Sequence, residues 1–229
     1  MSDTLLAILS LTATIGFYYL TRFAYQRRRA AWRAPILAAP LAVLILVLSL
    51  GIPLDDYFYY TRFLVMMLGP ATIAFAVPIY QQRATIRRYP LTLSAGVIAG
   101  LLFGILSSWL LLQMFPLPAE MAGSMLVRSV STPFAMEAAL FFGGVPDITA
   151  LLVLMTGVIG MVVCEPVFRI ARIRTSLARG AALGASAHGA GTAKAQELGS
   201  EEGMIASLTM IFAGIAMVIC APFFAQILG

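Results

Sequence analysis

The stretch MAGSMLVRSVSTPFAMEAALFF, residues 121–142, is an apolar block interrupted at its centre by the polar run Arg128-Ser129-Val130-Ser131-Thr132-Pro133. Its length suits a hydrocarbon layer of ~30 Å, which a helix of about 20 apolar residues can cross. Pro133 has no N–H group, so a helix through it leaves a carbonyl unpaired one turn earlier. Broken backbone at membrane depth persists only where it packs against protein or lines a watery cavity. We therefore expect this stretch in the interior of a membrane protein.

The composition of the whole chain agrees with a membrane protein. Of the 229 residues, 61% are hydrophobic and only 11% are charged, whereas soluble domains carry about a quarter charged residues. The arginines that produce the net charge of +5 cluster beside apolar blocks, which fits membrane topology and argues against nucleic-acid binding. Eight apolar blocks can be marked: 5–20, 35–54, 63–80, 91–115, 121–142, 148–168, 181–198 and 204–228. The first block has no basic stretch before it and no cleavage site after it, so we expect it to be retained as a span.

These blocks predict an all-α, polytopic membrane protein with about seven or eight hydrophobic segments. Two further blocks are broken. Block 63–80 contains Leu68-Gly69-Pro70-Ala71-Thr72, and block 181–198 consists mainly of small residues around His188. We expect the three broken blocks to lie together in the interior, some as broken and some as re-entrant helices.

The charges between the blocks predict the topology. The arginines at 22–33 and 83–88 are expected in the cytoplasm, and Asp55 and Asp56 outside. The arginines at 169–179 also fall inside if block 121–142 is a re-entrant hairpin with its tip at Ser131-Thr132-Pro133. Block 181–198 is then expected to cross, which places Glu197, Glu201 and Glu202 outside.

A faint internal repeat leads to the division of the single domain, 1–229. Leu68-Gly69 recurs 115 residues later as Leu183-Gly184, and the same offset pairs Arg87 with Glu202. Opposite charges at equivalent ends favour an inverted repeat of the secondary-transporter type. We expect a first span and basic loop at 1–34, a first repeat at 35–115, a re-entrant hairpin at 120–146 and a second repeat at 147–229.

The polar run at 128–133 is the main candidate site. Arg128 can bind a carboxylate with two parallel hydrogen bonds, and Ser129, Ser131 and Thr132 supply hydroxyl groups. A helix that begins near Pro133 also points its first N–H groups at the break, which favours an anion. In the alternative interpretation, Arg128 extends to the interface and pairs with Glu137, and the hydroxyl groups only cap a kink.

The block around His188 is the second candidate. His188 can carry a proton near neutral pH, and Ser186 and Thr192 are polar groups close to it in sequence. Gly69, Pro70, Ala71 and Thr72 are expected to form the opposite wall of the site. His188 or Glu137 is the expected group for proton or ion coupling. We expect no metal and no cofactor, because there is no second histidine or nearby cysteine and no nucleotide or enzyme motif.

These motifs resemble the LrgB/CidB family of bacterial membrane proteins, which is also similar to the transport part of the plastid glycolate/glycerate translocator. The resemblance covers nearly the whole chain. Four segments carry it: Gly69-Pro70-Ala71-Thr72 through Pro78-Ile79-Tyr80, Arg128 to Pro133, Gly143-Gly144-Val145-Pro146, and Ala187-His188-Gly189-Ala190-Gly191-Thr192-Ala193. The chain departs from the family pattern where Arg128 replaces a lysine and where Ala187 replaces a serine.

The resemblance implies two alternative functions, neither of them enzymatic. One is transport of small monocarboxylates such as pyruvate, glycolate or glycerate, coupled to a proton or an ion. The other is a holin- or antiholin-like regulation of murein hydrolases and cell lysis, with a small membrane partner of the LrgA/CidA type. In either case the resemblance implies a multi-pass protein in the lipid bilayer of the bacterial inner (cytoplasmic) membrane, and we expect a homodimer. We favour transport because broken helices, Arg128 and a titratable His188 together resemble a binding site.

Overall fold

The computed structural model describes residues 3–28 and 30–228; Met1, Ser2, Arg29 and Gly229 lie outside this part. All regular structure in the described residues is helical, as the sequence predicts. The helices are α1 (Asp3–Arg27), α2 (Pro35–Leu50), α3 (Leu54–Met66), α4 (Leu68–Ala74), α5 (Ala76–Gln81), α6 (Arg83–Arg88), α7 (Pro90–Met114), α8 (Ala119–Leu126), α9 (Thr132–Phe141), α10 (Pro146–Ile170), α11 (Ser176–Leu198) and α12 (Ser200–Leu228).

Among the described residues, five helical stretches are long and apolar enough to cross a membrane. They are Thr4–Arg27, Leu54–Gln81, Pro90–Met114, Pro146–Ile170 and Ser200–Leu228. Helix α2 is a shorter apolar helix. The two remaining apolar blocks, 121–142 and 181–198, each form a helical hairpin. The chain is thus a membrane protein with several spans.

The chain divides into two compact units, residues 1–71 and residues 72–229. In the first unit, α2 has Pro35 in its first turn, where the missing N–H costs nothing, and ends at Gly51 with φ 59°. Further along the chain, helical hydrogen bonding is interrupted at Met67 and at Phe75. Met67 lies three residues before Pro70, and Phe75 lies three residues before Pro78. A proline has no N–H group to continue the helical hydrogen bonds, which accounts for both interruptions.

The first hairpin consists of α8, a tip at residues 127–131, and α9. Its two ends meet: a methyl group on Gly123 would overlap the carbonyl oxygen of Phe142, and the Val145 N–H donates a 2.8 Å hydrogen bond to Ser124 Oγ. The chain therefore reverses at the polar run. The predicted re-entrant placement of this hairpin in a bilayer stays a prediction.

The second hairpin is α11, which turns back at His188. His188 has φ 43° and ψ −120°, whereas its neighbours are helical. A methyl group on Gly191 would overlap the carbonyl oxygen of Leu183, although these residues would lie about 12 Å apart along a continuous helix. We call residues 176–187 its first arm and residues 189–198 its second arm.

This hairpin corrects the predicted topology. Block 181–198 does not cross, because both arms return to the start of α12: the backbone of Gly180 approaches Glu202, and the backbone of Gly203 approaches Gln196. The predicted crossing was wrong because a chain of small residues can fold back on itself at close distance, which the charge pattern alone does not reveal.

Helices α7 and α10 run in opposite directions past the tips of both hairpins. On α7, Gly100 lies against Ala185 of the second hairpin and Gly104 against Ser129 of the first. On α10, Arg128 of the first hairpin reaches Thr156, and the adjacent Gly157 faces the Nδ1 atom of His188. The two tips therefore meet near the middle of these long helices.

Two successive segments of the chain have the same order of elements. In each segment a 25-residue helix with a proline at its start, Pro90 in α7 or Pro146 in α10, is followed by a hairpin. These prolines are 56 residues apart. The spacing differs from the predicted 115 residues, and the predicted division into 35–115 and 147–229 stays a prediction.

One end of the second unit, which we call the basic end, collects most of its arginines. The loop after α10 carries Arg172 and Arg174, and α6 lies close to the start of α12 because Thr85 Oγ1 contacts Met204 Sδ at 3.4 Å. Arg87 and Glu202 therefore lie at the same end. Their predicted placement on opposite sides was wrong, for the same reason as the crossing of block 181–198.

The packing of α11 against α12 gives a first prediction. A methyl group on Gly184 would overlap the backbone of Ala206, whereas a methyl group on Gly189 meets nothing within 4 Å. Gly184→Ala should lower the free energy of unfolding by about 1–3 kcal/mol, as overpacking does. Gly189→Ala is the matched control and should leave stability unchanged or slightly raised. Thermal unfolding of the purified protein in detergent measures both, and equal melting temperatures for the two variants would contradict the packing.

Candidate functional site

Arg128 lies at the tip of the first hairpin and is held by two hydroxyl groups. Its Nε donates to Ser108 Oγ on α7 at 3.1 Å, and its Nη1 donates to Thr156 Oγ1 on α10 at 3.2 Å. The Thr156 hydroxyl in turn donates to the carbonyl of Leu152. These bonds fix the guanidinium and leave its Nη2 donors for a ligand.

In the part of the chain that the structure describes, no carboxylate forms an ion pair with Arg128. Among the described residues, the ion pairs are those between Lys194 and Glu165 and between Lys194 and Glu197. Glu137, the partner in the alternative interpretation of the sequence, is exposed on α9. A half-buried charge without a counter-ion is costly, so a bound anion would stabilise this arrangement.

His188 occupies the tip of the second hairpin. Its side chain is buried, and its Nε2 has no hydrogen-bond partner among the described residues. The imidazole lies close to the backbone of Ser129 and within electrostatic range of Arg128. The structure therefore brings together the two ionisable groups that the sequence placed 60 residues apart.

Ser131 supplies a further polar atom at the tip of the first hairpin, directly before α9. It is buried, its φ of −67° and ψ of 149° are those of a residue before a helix, and its carbonyl accepts from Phe134 and Ala135. Its hydroxyl does not cap the helix and has no partner among the described residues. Thr132 and Pro133 form the first turn of α9, and both are half-buried.

The other predicted residues are placed less centrally. Ser186 is exposed and donates to the carbonyl of Ala182, and Thr192 Oγ1 contacts Met210 Sδ at 3.7 Å on α12. Gly69, Pro70 and Ala71 belong to the first compact unit, and Thr72 begins the second. The part of these four residues in the site stays a prediction.

Sequence reasoning missed Ser108 and Thr156. Each is a single hydroxyl in a long apolar helix, 20 and 28 residues from Arg128 in sequence. Their position was detectable only as a polar residue inside a span, a weak signal because serine and threonine often bond to their own helix.

A buried hydroxyl is not by itself sufficient evidence of a ligand. Thr209 Oγ1 also has no partner among the described residues, but it lies beside Gly96 and Ala181, away from the tips.

The arrangement of Arg128, Ser131 and His188 can bind a small anion. The guanidinium provides a charge and two coplanar donors, and α9 directs the positive end of its dipole at the same region. Among the described residues, no cluster of three histidine, cysteine, aspartate or glutamate side chains could hold a metal ion.

The backbone of His188 gives a second prediction. A non-glycine residue at φ 43° and ψ −120° stores strain of about 1–3 kcal/mol. The free energy of unfolding should therefore be higher for His188→Gly than for His188→Ala by about 1–2 kcal/mol. In a regular helix the order is reversed, because alanine stabilises the helix by about 1 kcal/mol more than glycine. Thermal unfolding of both variants without ligand measures which of the two is more stable. An alanine variant as stable as the glycine variant would show that the turn is unstrained.

Known bacterial proteins are similar to this chain over nearly its whole length. Residues 14–227 match the model of the LrgB-like family. The chain is 37% identical to the uncharacterized protein YwbG of Bacillus subtilis, over 95% of this chain and 97% of that protein. It is 27% identical to the antiholin-like protein LrgB of Bacillus subtilis over the full length of both, and 27% identical to the holin-like protein CidB of Staphylococcus aureus over 97% of both. No solved structure matches the chain. The chain belongs to the LrgB-like family.

Proposed function

We propose that this protein transports small monocarboxylates, of the pyruvate, glycolate or glycerate type, across the bacterial cytoplasmic membrane. One observation carries the proposal. Where the tips of the two hairpins meet, no described carboxylate pairs with the guanidinium of Arg128, and both Ser131 Oγ and His188 Nε2 are buried without a hydrogen-bond partner among the described residues. A half-buried cation beside two unsatisfied polar groups is most stable with an anion that can also form hydrogen bonds to them.

The substrate carboxylate would lie against the Nη2 donors of Arg128. Ser131 Oγ and the first N–H groups of α9 would bind its oxygens, since a helix N-terminus favours a negative charge. His188 Nε2 would bind the 2-oxo or 2-hydroxy group, and would also be the candidate for proton coupling. Glu137 remains the second candidate for coupling, from the exposed side of α9.

The two hairpins supply a route for alternating access. They approach the site from opposite ends of α7 and α10, so that either one could open while the other stays closed. The basic end, with Arg172 and Arg174, would face the cytoplasm by the positive-inside rule. Binding from outside would then pass the first hairpin, and release would pass the second.

Proteoliposome uptake tests the assignment of Arg128. Arg128→Gln removes the charge and should raise the KM for pyruvate by at least about tenfold, because a charge-assisted hydrogen bond contributes about 1.5–3 kcal/mol. Arg174→Gln is the matched control: it removes an exposed arginine of the basic end and should leave uptake unchanged. Uptake that is equal in the Arg128 variant and the original protein would refute the assignment.

A second candidate function follows from the names of the relatives. CidB of Staphylococcus aureus is named holin-like, and LrgB of Bacillus subtilis is named antiholin-like. On that basis this chain would regulate murein hydrolases and lysis, as a homodimer or with a small membrane partner of the LrgA/CidA type. The relatives' names favour this function, whereas the unpaired Arg128 favours transport.

Leakage of an encapsulated dye separates the two functions. A holin-like protein should release calcein and pyruvate from liposomes at similar rates, and Arg128→Gln should change neither rate. A transporter should pass pyruvate while calcein stays inside, because a site of a few donors admits only small anions. Release of both solutes by the original protein and by the Arg128 variant would support the holin-like function.

A further inference from the structure

We propose that the seam between α10 and the second hairpin is the gate at the basic end of the molecule, and that the ion pair of Lys194 with Glu165 is the latch that keeps this gate closed. The proposal rests on the proposed transport function, because a gate requires a site behind it. It assigns a role to a pair of charges that the binding site does not use.

The second hairpin moves most easily as one body with α12. Its first arm is packed on α12 through Gly180 and Gly184, whose backbones meet Glu202 and Ala206, and its second arm is packed through Gln196, whose backbone meets Gly203. Contacts between backbones resist sliding, because any displacement brings main-chain atoms into overlap. The hairpin and α12 therefore form a block.

The contact with α10 changes in kind along the hairpin. Near the tip, Gly157 and Gly160 lie against the backbone of Ala187 in the first arm, whereas the second arm meets Gly157 through the side chain of Ala190. Towards the basic end it is closed by side chains, and Lys194 Nζ lies 2.7 Å from Glu165 Oε1. Half of the Glu165 side chain is exposed, so water can replace the ion pair when the seam opens.

The seam leads directly to the site. Along one face of α10, the buried residues Gly157, Met161 and Cys164 follow each other at helical spacing, and Gly157 faces the His188 side chain. Glu165 comes directly after Cys164. Separation of α10 from the second arm would thus open a path from the basic end to the imidazole of His188.

Lys194 keeps a second partner within its own arm. Its Nζ also lies 3.7 Å from Glu197, three residues later in the second arm. When the seam opens, Lys194 can stay paired with Glu197 and is not left as an isolated charge. This second partner lowers the free energy needed to separate Lys194 from Glu165. A latch that is released repeatedly requires such a low free energy of opening.

Cys164 is a natural reporter of the seam. Its thiol is buried under the second hairpin, in a cluster with Leu183 of the first arm and Ala195 of the second, and donates to the Met161 carbonyl. A thiol at this position reacts with a membrane-impermeant methanethiosulfonate only when the seam opens. Cys220→Ser leaves Cys164 as the single cysteine of the chain.

The experiment measures the labelling rate of Cys164 in the full-length Cys220→Ser protein in lipid nanodiscs, with no substrate. Glu165→Gln should raise the rate about threefold to fivefold, the range expected for loss of a partly exposed ion pair. Lys194→Met should raise it as well. Glu120→Gln, an exposed carboxylate of the first hairpin, is the control and should have no effect.

The two single variants separate gating from thiol chemistry. A neighbouring cation favours the reactive thiolate, so loss of Lys194 alone would slow labelling, while loss of Glu165 alone would speed it. Faster labelling in both variants supports the latch. Opposite changes in the two variants, or no change in either, would overturn it. Because labelling needs no substrate, it can succeed or fail independently of pyruvate uptake, so the latch and the transport function are tested separately.

Discussion

The fold depends on one requirement, that backbone broken at membrane depth be enclosed by protein. The chain meets it by bringing its two breaks together: the tip at residues 127–131 and the turn at His188 both lie against the middle of α7 and α10. The imidazole of His188 lies close to the backbone of Ser129, so the second tip covers part of the first. The same packing places Arg128 and His188 close to each other. The contact between the tips that encloses the broken backbone therefore also forms the candidate site.

Small residues make this enclosure possible. Gly100 and Gly104 on α7, and Gly157 and Gly160 on α10, admit the two tips to within van der Waals contact of the long helices. In lipid there is no hydrophobic force between helices, so close packing and interhelical hydrogen bonds provide the stability. The bonds from Arg128 to Ser108 and Thr156 are of this second kind. They anchor the first tip to α7 and α10, and they do so without neutralising the guanidinium.

The helical content and the apolar blocks could be predicted from the sequence, because apolar runs of span length and a polar break such as 128–133 report directly on the membrane. The reversal at His188 could not, since it depends on φ 43° at a single residue and on glycines that fit a neighbouring backbone. The charge pattern was misleading there. It assigned Glu197, Glu201 and Glu202 to the side opposite the arginines at 169–179, whereas Lys194 and the hairpin place them together. Ser108 and Thr156 were missed because a lone hydroxyl in a span has many uses.

The two hairpins differ in how their open ends are attached to α10. This difference suggests that they also differ in how easily they move relative to α10. The first is tied to the start of α10 by a hydrogen bond from the Val145 N–H to Ser124 and by backbone contact between Gly123 and Gly144. The second meets the end of α10 through side chains, in the apolar cluster of Cys164 with Leu183 and in the ion pair of Lys194 with Glu165. Short bonds to the main chain tolerate little movement, whereas a partly exposed ion pair exchanges with water at small cost. Helix α10 should therefore move with the first hairpin and away from the second, which makes the basic end the first to open.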